Sequence, residues 1–463
     1  MGLRQLRAEG GLAWTWLSAC FLLLARWSVQ PSPEGRSAPP VPALTATVLG
    51  LGPLVRPDFT AFSVVFLAAL LLGMPGAGIR SRVRLLALAT AAPVAYQLFR
   101  MAYYGALTPN TYFAKEGGRG RWDEGWHYLI DFVEPYRLWL PVVLLAVGAL
   151  GPLVGGLARL GQRRALLVAL ALPVSGLVSA LTIVRLGGDF MHGRLLLPAM
   201  VALVAPVTMV PVRRSTTMAM VAAGWAVVCL ASYRPPPMTA AAVARVLDIR
   251  SLSLLYAGDL HPVTLADWQF GPDGDNEVAF DRRHRLYLGG SPLDAAGQPV
   301  PVRAGAPRPI VLAYGVGAIS YSVGPDVDVF DLLGLGDAVT ARLRLEGRGR
   351  PGHEKALPAA WIWARTVASR SPPDPDVLEV PAFIRQNAAT LADPALAEPD
   401  RAAFPAQVLA ARSALRCDRV RRLVEATTGA LSPSRLVENL GESFALFTFR
   451  IPPSPEEARK ELC

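Results

Sequence analysis

Charge is what this sequence has least of. Only 18% of its 463 residues are Asp, Glu, Lys or Arg, against roughly a quarter in ordinary soluble domains. The shortage is uneven. Residues 1–233 hold nine acidic side chains against 20 Lys/Arg, and residues 234–463 hold 27 against 26. The formal excess of +10 therefore belongs to the apolar half. A basic excess confined between apolar runs points to membrane topology, because a nucleic-acid binder would carry it on a soluble, motif-bearing surface. Lysine is almost absent, with only Lys115, Lys355 and Lys460 against 43 arginines. There is no His-Glu-x-x-His, no Cys-x-x-Cys pair and no Walker loop, so spacing supports neither a metal site nor a nucleotide site. No cofactor is expected, and the need for a divalent metal stays open. No internal repeat is visible either, and a transporter built from repeated halves would show one.

What the chain has instead is long apolar runs. A membrane-crossing helix needs about 20 mainly apolar residues. Such runs lie near 59–75, 84–104, 138–158, 164–184, 194–212 and 216–233, with weaker ones near 11–27 and 41–55. The spacing predicts a transmembrane domain of seven to eight spans over residues 1–233. The connectors "RSRVR" (80–84), "RLGQRR" (159–164) and "RR" (213–214) are short and basic, which places them in the cytoplasm. Segments 105–137 and 185–193, and everything after about 234, then face outside. All five histidines (127, 192, 261, 284, 353) fall in these outer segments. Eight spans would also put the N-terminus outside, against the preference of Arg4 and Arg7. Either 41–55 is not a full span, or helices precede the first residue. A signal peptide over 1–27 is a third reading, but no Ala-x-Ala-like site clearly follows the run.

After "RPPPM" (234–238) the composition becomes that of a soluble domain. The segments "PIVLAYGVGAISYSV" (309–323) and "DVDVFDLLGL" (326–335) read as buried strands, and helical patterns appear near 355–370 and 403–428. A mixed α/β exoplasmic domain over 234–463 is expected. Cys20 and Cys229 lie in apolar runs and read as inert packing residues. Cys417 and Cys463 lie in the outer domain, where an oxidising compartment favours a disulfide over two free thiols.

Four polar clusters interrupt this plan. In "RLGGDFMHGRLLLPAM" (185–200), Arg185, Asp189, His192 and Arg194 meet at a span boundary. A carboxylate at a membrane edge is costly unless paired. A salt-bridged loop pinning two helices would suffice; a substrate-orienting or acid/base carboxylate beside phosphate-binding arginines is the functional reading. In "RMAYYGALTPNTYFAKEGG" (100–118), interfacial anchoring accounts for Tyr103, Tyr104 and Tyr112. It leaves Asn110 as a group for sugar hydroxyls and Lys115 as a partner for a lipid phosphate. In "VRPDF" (55–59), Arg56 and Asp58 either end a helix or face the same external cavity. In "GRPGHEKALPAAWIWAR" (349–365), His353, Glu354 and Lys355 form a triplet for which a solvated loop is the ordinary account; "DLLGLGD" (331–337) precedes it with Asp331.

Taken together, "YYGALTPNTYFAK", "GGDFMHGRLLLP", "DLHPVTLADW" (259–268), "DVFDLLGLGD", "GHEKALPAAWIWAR" and "ESFALFTFRIPPSPEEARKELC" resemble the actinobacterial membrane arabinofuranosyltransferases, in particular the terminal β-(1→2) family, over about residues 50–463. The resemblance implies a GT-C glycosyltransferase: a multi-span helical membrane domain with an exoplasmic α/β domain, in the plasma membrane. It implies decaprenyl-phosphoryl-arabinofuranose as donor and arabinan of arabinogalactan or lipoarabinomannan as acceptor. Such enzymes keep a catalytic acid in the first exoplasmic loop, whereas residues 1–55 contain only Glu9 and Glu34. The expectation is a chain lacking roughly its first three spans, through a misplaced start, a split gene or a degenerate paralogue. Asp189 is then the best remaining catalytic carboxylate. Arg185, Arg194 and Lys115 would hold the donor phosphate. Tyr103, Asn110, His192, Asp331, His353 and Lys355 would contact substrate, with Arg56 and Asp58 as further possibilities. A non-enzymatic cell-wall assembly protein is the competing class. A transporter ranks below both, because the ionisable groups lie at one membrane edge rather than at midplane.

Overall fold

A computed structural model describes residues 3–31, 39–145, 151–205, 216–232, 246, 286–288, 291–292, 309–367, 382–398 and 400–463. The chain forms two compact units. One comprises Gln5–Gln97 and Gly120–Pro237; the other comprises Leu98–Arg119 and Met238–Cys463 with the first four residues. The tyrosine-rich segment after residue 98 thus groups with the C-terminal region.

The first unit is helical. Its elements are α1 (Leu3–Val29), α2 (Ala43–Gly50), α3 (Gly52–Val55), α4 (Thr60–Leu72), the first part of α5 (Ile79–Tyr104), α7 (Trp122–Val133), α8 (Trp139–Leu145), α9 (Gly151–Arg159), α10 (Arg163–Leu186), α11 (Leu197–Val204) and α12 (Thr216–Ser232). Three helices among the described residues are long and apolar enough to cross a membrane: Gly11–Val29, Ile79–Tyr104 and Arg163–Leu186. Pro57–Leu72 and Ala219–Ala231 are apolar but shorter. At about 1.5 Å per residue, the 13 residues of α4 fall well short of a hydrocarbon core of about 30 Å. The weak 41–55 run is not one helix; it breaks between α2 and α3, where Pro53 follows Gly52. The weak 11–27 run, by contrast, lies within one continuous 27-residue helix. Expected spans 138–158 and 194–212 lie partly outside the described residues, as does the 213–214 connector.

Aromatic packing holds this unit together. Trp16 lies 5.5 Å from Phe59, and Phe59 lies 5.2 Å from Phe62. The Trp16 indole donates to the Val48 carbonyl at 2.8 Å, tying α1 to α2. The long helices keep apolar side chains on the outside: Val94 and Phe99 on α5, Leu177 and Leu181 on α10. An exposed apolar face on a 24-residue helix is costly in water and ordinary against lipid.

The second unit is mixed α/β. Four short strands, β1 (Leu286–Leu288), β2 (Ser291–Pro292), β3 (Ile310–Ala313) and β4 (Asp328–Asp331), line up in the order β2-β1-β3-β4. β3 is parallel to both β1 and β4 and is buried along its length, as the inner strand of a covered parallel sheet must be. The 309–323 stretch is therefore a strand only in its first half. Its second half, Val316–Val323, is a helix. Short apolar runs do not separate these two outcomes by periodicity. Trp361, Trp363, Phe404 and Val408 form the core beneath the sheet. Cys417 and Cys463 are joined as a disulfide, Cα–Cα 5.1 Å, which closes the C-terminal helix Pro455–Leu462 against the helix Asp418–Thr428. Cys20 and Cys229 are free.

Candidate functional sites

The loop after α10 is built by glycine and tyrosine. Gly187 ends the helix at φ 93° and Gly188 follows at φ 72°; only glycine takes such values without strain. Helix α7 packs against α10 through Gly125, where any Cβ would lie 1.7 Å from the Val184 carbonyl oxygen. That approach brings Tyr128 under the loop. Its hydroxyl donates to the Met191 carbonyl at 2.9 Å and accepts from the Leu195 amide at 3.1 Å. Burial pushes the Tyr128 phenol above its ordinary range, so the hydroxyl stays a donor at neutral pH.

Several ionisable groups are held on this frame. Asp189 is 3% exposed, and its Oδ2 lies 3.9 Å from Arg194 Nη1. His192 Nδ1 lies 2.7 Å from Asp131 Oδ2, and its Nε2 lies 3.2 Å from the Tyr136 hydroxyl. Carboxylate, imidazole and phenol thus form one chain of hydrogen bonds, with the carboxylate orienting the ring. Asp131 and Tyr136 were absent from the sequence reading. Arg185 is exposed in the last turn of α10, and its carbonyl accepts from the Arg121 amide at 2.7 Å.

The second unit contains a different arrangement. Lys355 is fully buried, with its Nζ 2.7 Å from Glu116 Oε1 and 2.7 Å from the Ala341 carbonyl. Burial outweighs the Glu116 charge and draws the ammonium down to about 8. Neighbouring Glu354 is 1% exposed and pairs with Arg348 at 2.8 Å. The triplet is therefore no solvated loop: two of its three members are buried and ion-paired. Glu116 sits at φ 45°, a left-handed value that is uncommon for a residue with a side chain and tends to mark functional positions. Two guanidinium groups, of Arg342 and Arg450, lie 4.1 and 5.3 Å from the Phe113 ring centroid. Burial and the nearby Arg450 charge draw Arg342 down to about 10.

The remaining expected residues are dispersed. Asp331 is buried, and its carboxylate accepts from the Leu333 amide at 2.9 Å and the Gly336 amide at 2.5 Å. It shapes the turn that leads to Asp337. Burial raises the Asp331 carboxyl above the usual range. Burial also works against the Asp337 carboxylate, but Arg365 at 2.8 Å and Thr340 outweigh it and hold that carboxyl low. Asp331 and Lys355 therefore turn their polar atoms to the protein, not to an open face. His353 is half-buried, and its amide donates to the Arg350 carbonyl. Lys115 is exposed at the end of the short helix α6 (Asn110–Ala114), and Asn110 begins that helix, half-buried. Tyr103 is exposed, its ring 4.6 Å from Tyr104. Arg56 and Asp58 pair with each other at 2.9 Å, and Arg56 covers Phe59, which is a helix-end arrangement. The segment 259–268 lies outside the described residues. Among the described residues, no group of three or more His, Cys, Asp or Glu side chains is placed to hold a metal ion.

The relatives of this chain are named glycosyltransferases. Both are named terminal β-(1→2)-arabinofuranosyltransferase. The one from Mycobacterium tuberculosis is 28% identical over 501 aligned positions, covering 96% of this chain and 74% of the relative. The one from Corynebacterium glutamicum is 32% identical over 413 positions, covering 78% of this chain and 59% of the relative. The chain is a homologue of these arabinofuranosyltransferases, though it spans less than two-thirds of the corynebacterial one. No family model and no solved structure matches it.

Proposed function

We propose that the protein transfers arabinofuranose from decaprenyl-phosphoryl-arabinofuranose to cell-wall arabinan on the outer side of the plasma membrane. The homology to named arabinofuranosyltransferases carries this reading. A GT-C architecture with an exoplasmic C-terminal domain follows from it, because a lipid-linked sugar keeps its phosphate at the bilayer surface, where nucleotide sugars are lacking. The loop after α10 supports it further. Asp189 and Arg194 stand at the end of a helix long enough to span a bilayer, beside the Asp131–His192–Tyr136 chain.

In this account Arg185 and Arg194 meet the donor phosphate. Asp189 orients the arabinose and stabilises positive charge developing at its anomeric carbon. His192, held by Asp131, accepts the proton of the attacking hydroxyl. Transfer is tested with membranes from cells making this chain, given labelled decaprenyl-phosphoryl-arabinofuranose and an arabinan acceptor. Label in the polymer is the expected result. No label above membranes lacking the chain would favour a non-enzymatic assembly protein.

A further inference from the structure

The second unit holds a cavity of about 480 Å³ whose wall includes Tyr112, Glu116, Arg119, Arg344, Phe447 and Arg450. Its charge is unbalanced. The cations in and behind the wall are Arg119, Arg342, Arg344, Lys355 and Arg450. Among the described residues, the carboxylates within their reach are Glu116, paired with Lys355, Glu457 and Glu461, both paired with Arg344, and Glu354, which acts on Lys355 and is paired with Arg348. With Arg348 counted beside its partner Glu354, six positive groups face four negative ones among the described residues.

The surplus is anchored on neutral acceptors. Arg450 Nη1 donates to the Phe447 and Phe449 carbonyls at 3.2 and 3.0 Å, while its Nε lies 3.8 Å from Glu116. Arg119 donates to the Leu345 carbonyl at 3.4 Å. Arg342 is 1% exposed, and its Nη1 has no hydrogen-bond partner among the described residues. Like charges gathered this closely cost free energy unless an anion joins them. Guanidinium forks beside one another match a phosphate's oxygens. The cavity also has an apolar wall, where Tyr112 and Phe447 lie nearly parallel, 6.0 Å apart. Gly117 allows this, since a Cβ there would lie 2.6 Å from the Tyr112 ring.

We propose that this cavity binds a phosphate-type oxyanion, gripped by Arg450, Arg344 and Arg119 with the aromatic pair beside it. The anion comes either from soluble phosphate or from the headgroup of an anionic lipid. The site is built wholly within the unit that lacks Asp189, and its occupancy is measured without turnover, so its fate is separate from that of the transfer reading.

The test is calorimetric titration of inorganic phosphate into the purified full chain, held in phosphatidylcholine nanodiscs. Saturable binding of one phosphate per chain is expected. Arg344→Gln and Arg450→Gln should each weaken it tenfold or more, while the remote, exposed Arg421→Gln leaves it unchanged. If Arg450→Gln fails to fold, Arg119→Gln with Arg344→Gln carries the test, since both side chains lie at the cavity wall. Repeating the titration in phosphatidylglycerol nanodiscs separates the sources. Loss of phosphate binding there assigns the site to a lipid headgroup, and unchanged binding assigns it to a soluble phosphate. No saturable binding in phosphatidylcholine, or equal affinity in Arg344→Gln and the parent, overturns the proposal.

Discussion

The Asp131–His192–Tyr136 chain and the Glu116–Lys355 pair use similar side chains under opposite conditions. In the first unit, Asp131 on α7 and His192 in the loop are 37% and 24% exposed, and Arg194 is 28% exposed. Each can meet a ligand with little desolvation cost. In the second unit, Lys355 and Glu116 are 0% and 7% exposed. Their charges have already left water, so each depends on the other. The first arrangement is suited to handling a substrate that arrives and leaves. The second holds a backbone turn in place and lends its charge to a cavity wall. The loop itself spans both conditions, since Asp189 is 3% exposed and Arg194 beside it is 28% exposed.

That contrast can be broken in order of expected effect. Lys355→Met leaves the Glu116 carboxylate buried without its partner and should cost about 3–5 kcal/mol of stability. Lys355→Met combined with Glu116→Gln should recover more than half of the loss. Chemical denaturation of the purified variants reads both, and additive losses would show that the pair is not coupled. In the same unit, Cys463→Ser opens a disulfide across 46 residues and should cost about 2–4 kcal/mol under oxidising conditions only. An equal melting shift in reductant would contradict that.

A smaller effect is expected from Tyr128→Phe. It removes both hydrogen bonds that pin the 188–195 loop and should cost about 1–3 kcal/mol, with faster amide exchange at Leu195. Unchanged exchange would mean that the loop is held elsewhere.

The pair also has a pH signature. Lys355 titrates near 8 in the folded chain and at 10.5 when unfolded. Between those values the unfolded chain keeps a proton that the folded chain has released. The stability this group contributes therefore rises with pH from about 8 to 10.5 and is level below 8. Lys355→Met should lose that rise relative to the parent; a parent slope no steeper than the variant's would contradict it.

The sequence carried the membrane character, the mixed α/β character of the C-terminal region and the positions of the charged loops, because each rests on local composition. Long-range pairing was beyond it. Glu116 and Lys355 are 239 positions apart and Asp131 and His192 are 61 apart, so no spacing rule links them. The triplet at 353–355 read as a solvated loop because burial of Glu354 and Lys355 depends on partners supplied by distant chain. The left-handed backbone of Glu116 had no sign either, since a Glu followed by Gly-Gly reads as an ordinary turn. The helix at Val316–Val323 was hidden for another reason: a short, mainly apolar run fits a strand and a helix equally well.

The central claim is that the loop after α10 handles the sugar phosphate. Initial rates of arabinofuranose transfer from decaprenyl-phosphoryl-arabinofuranose, compared between the parent chain and Asp189→Asn at equal membrane abundance, test it most directly. The account predicts a fall of about 10²-fold or more, the usual scale for losing a charge that stabilises a transition state. Transfer by Asp189→Asn at the parental rate would contradict it.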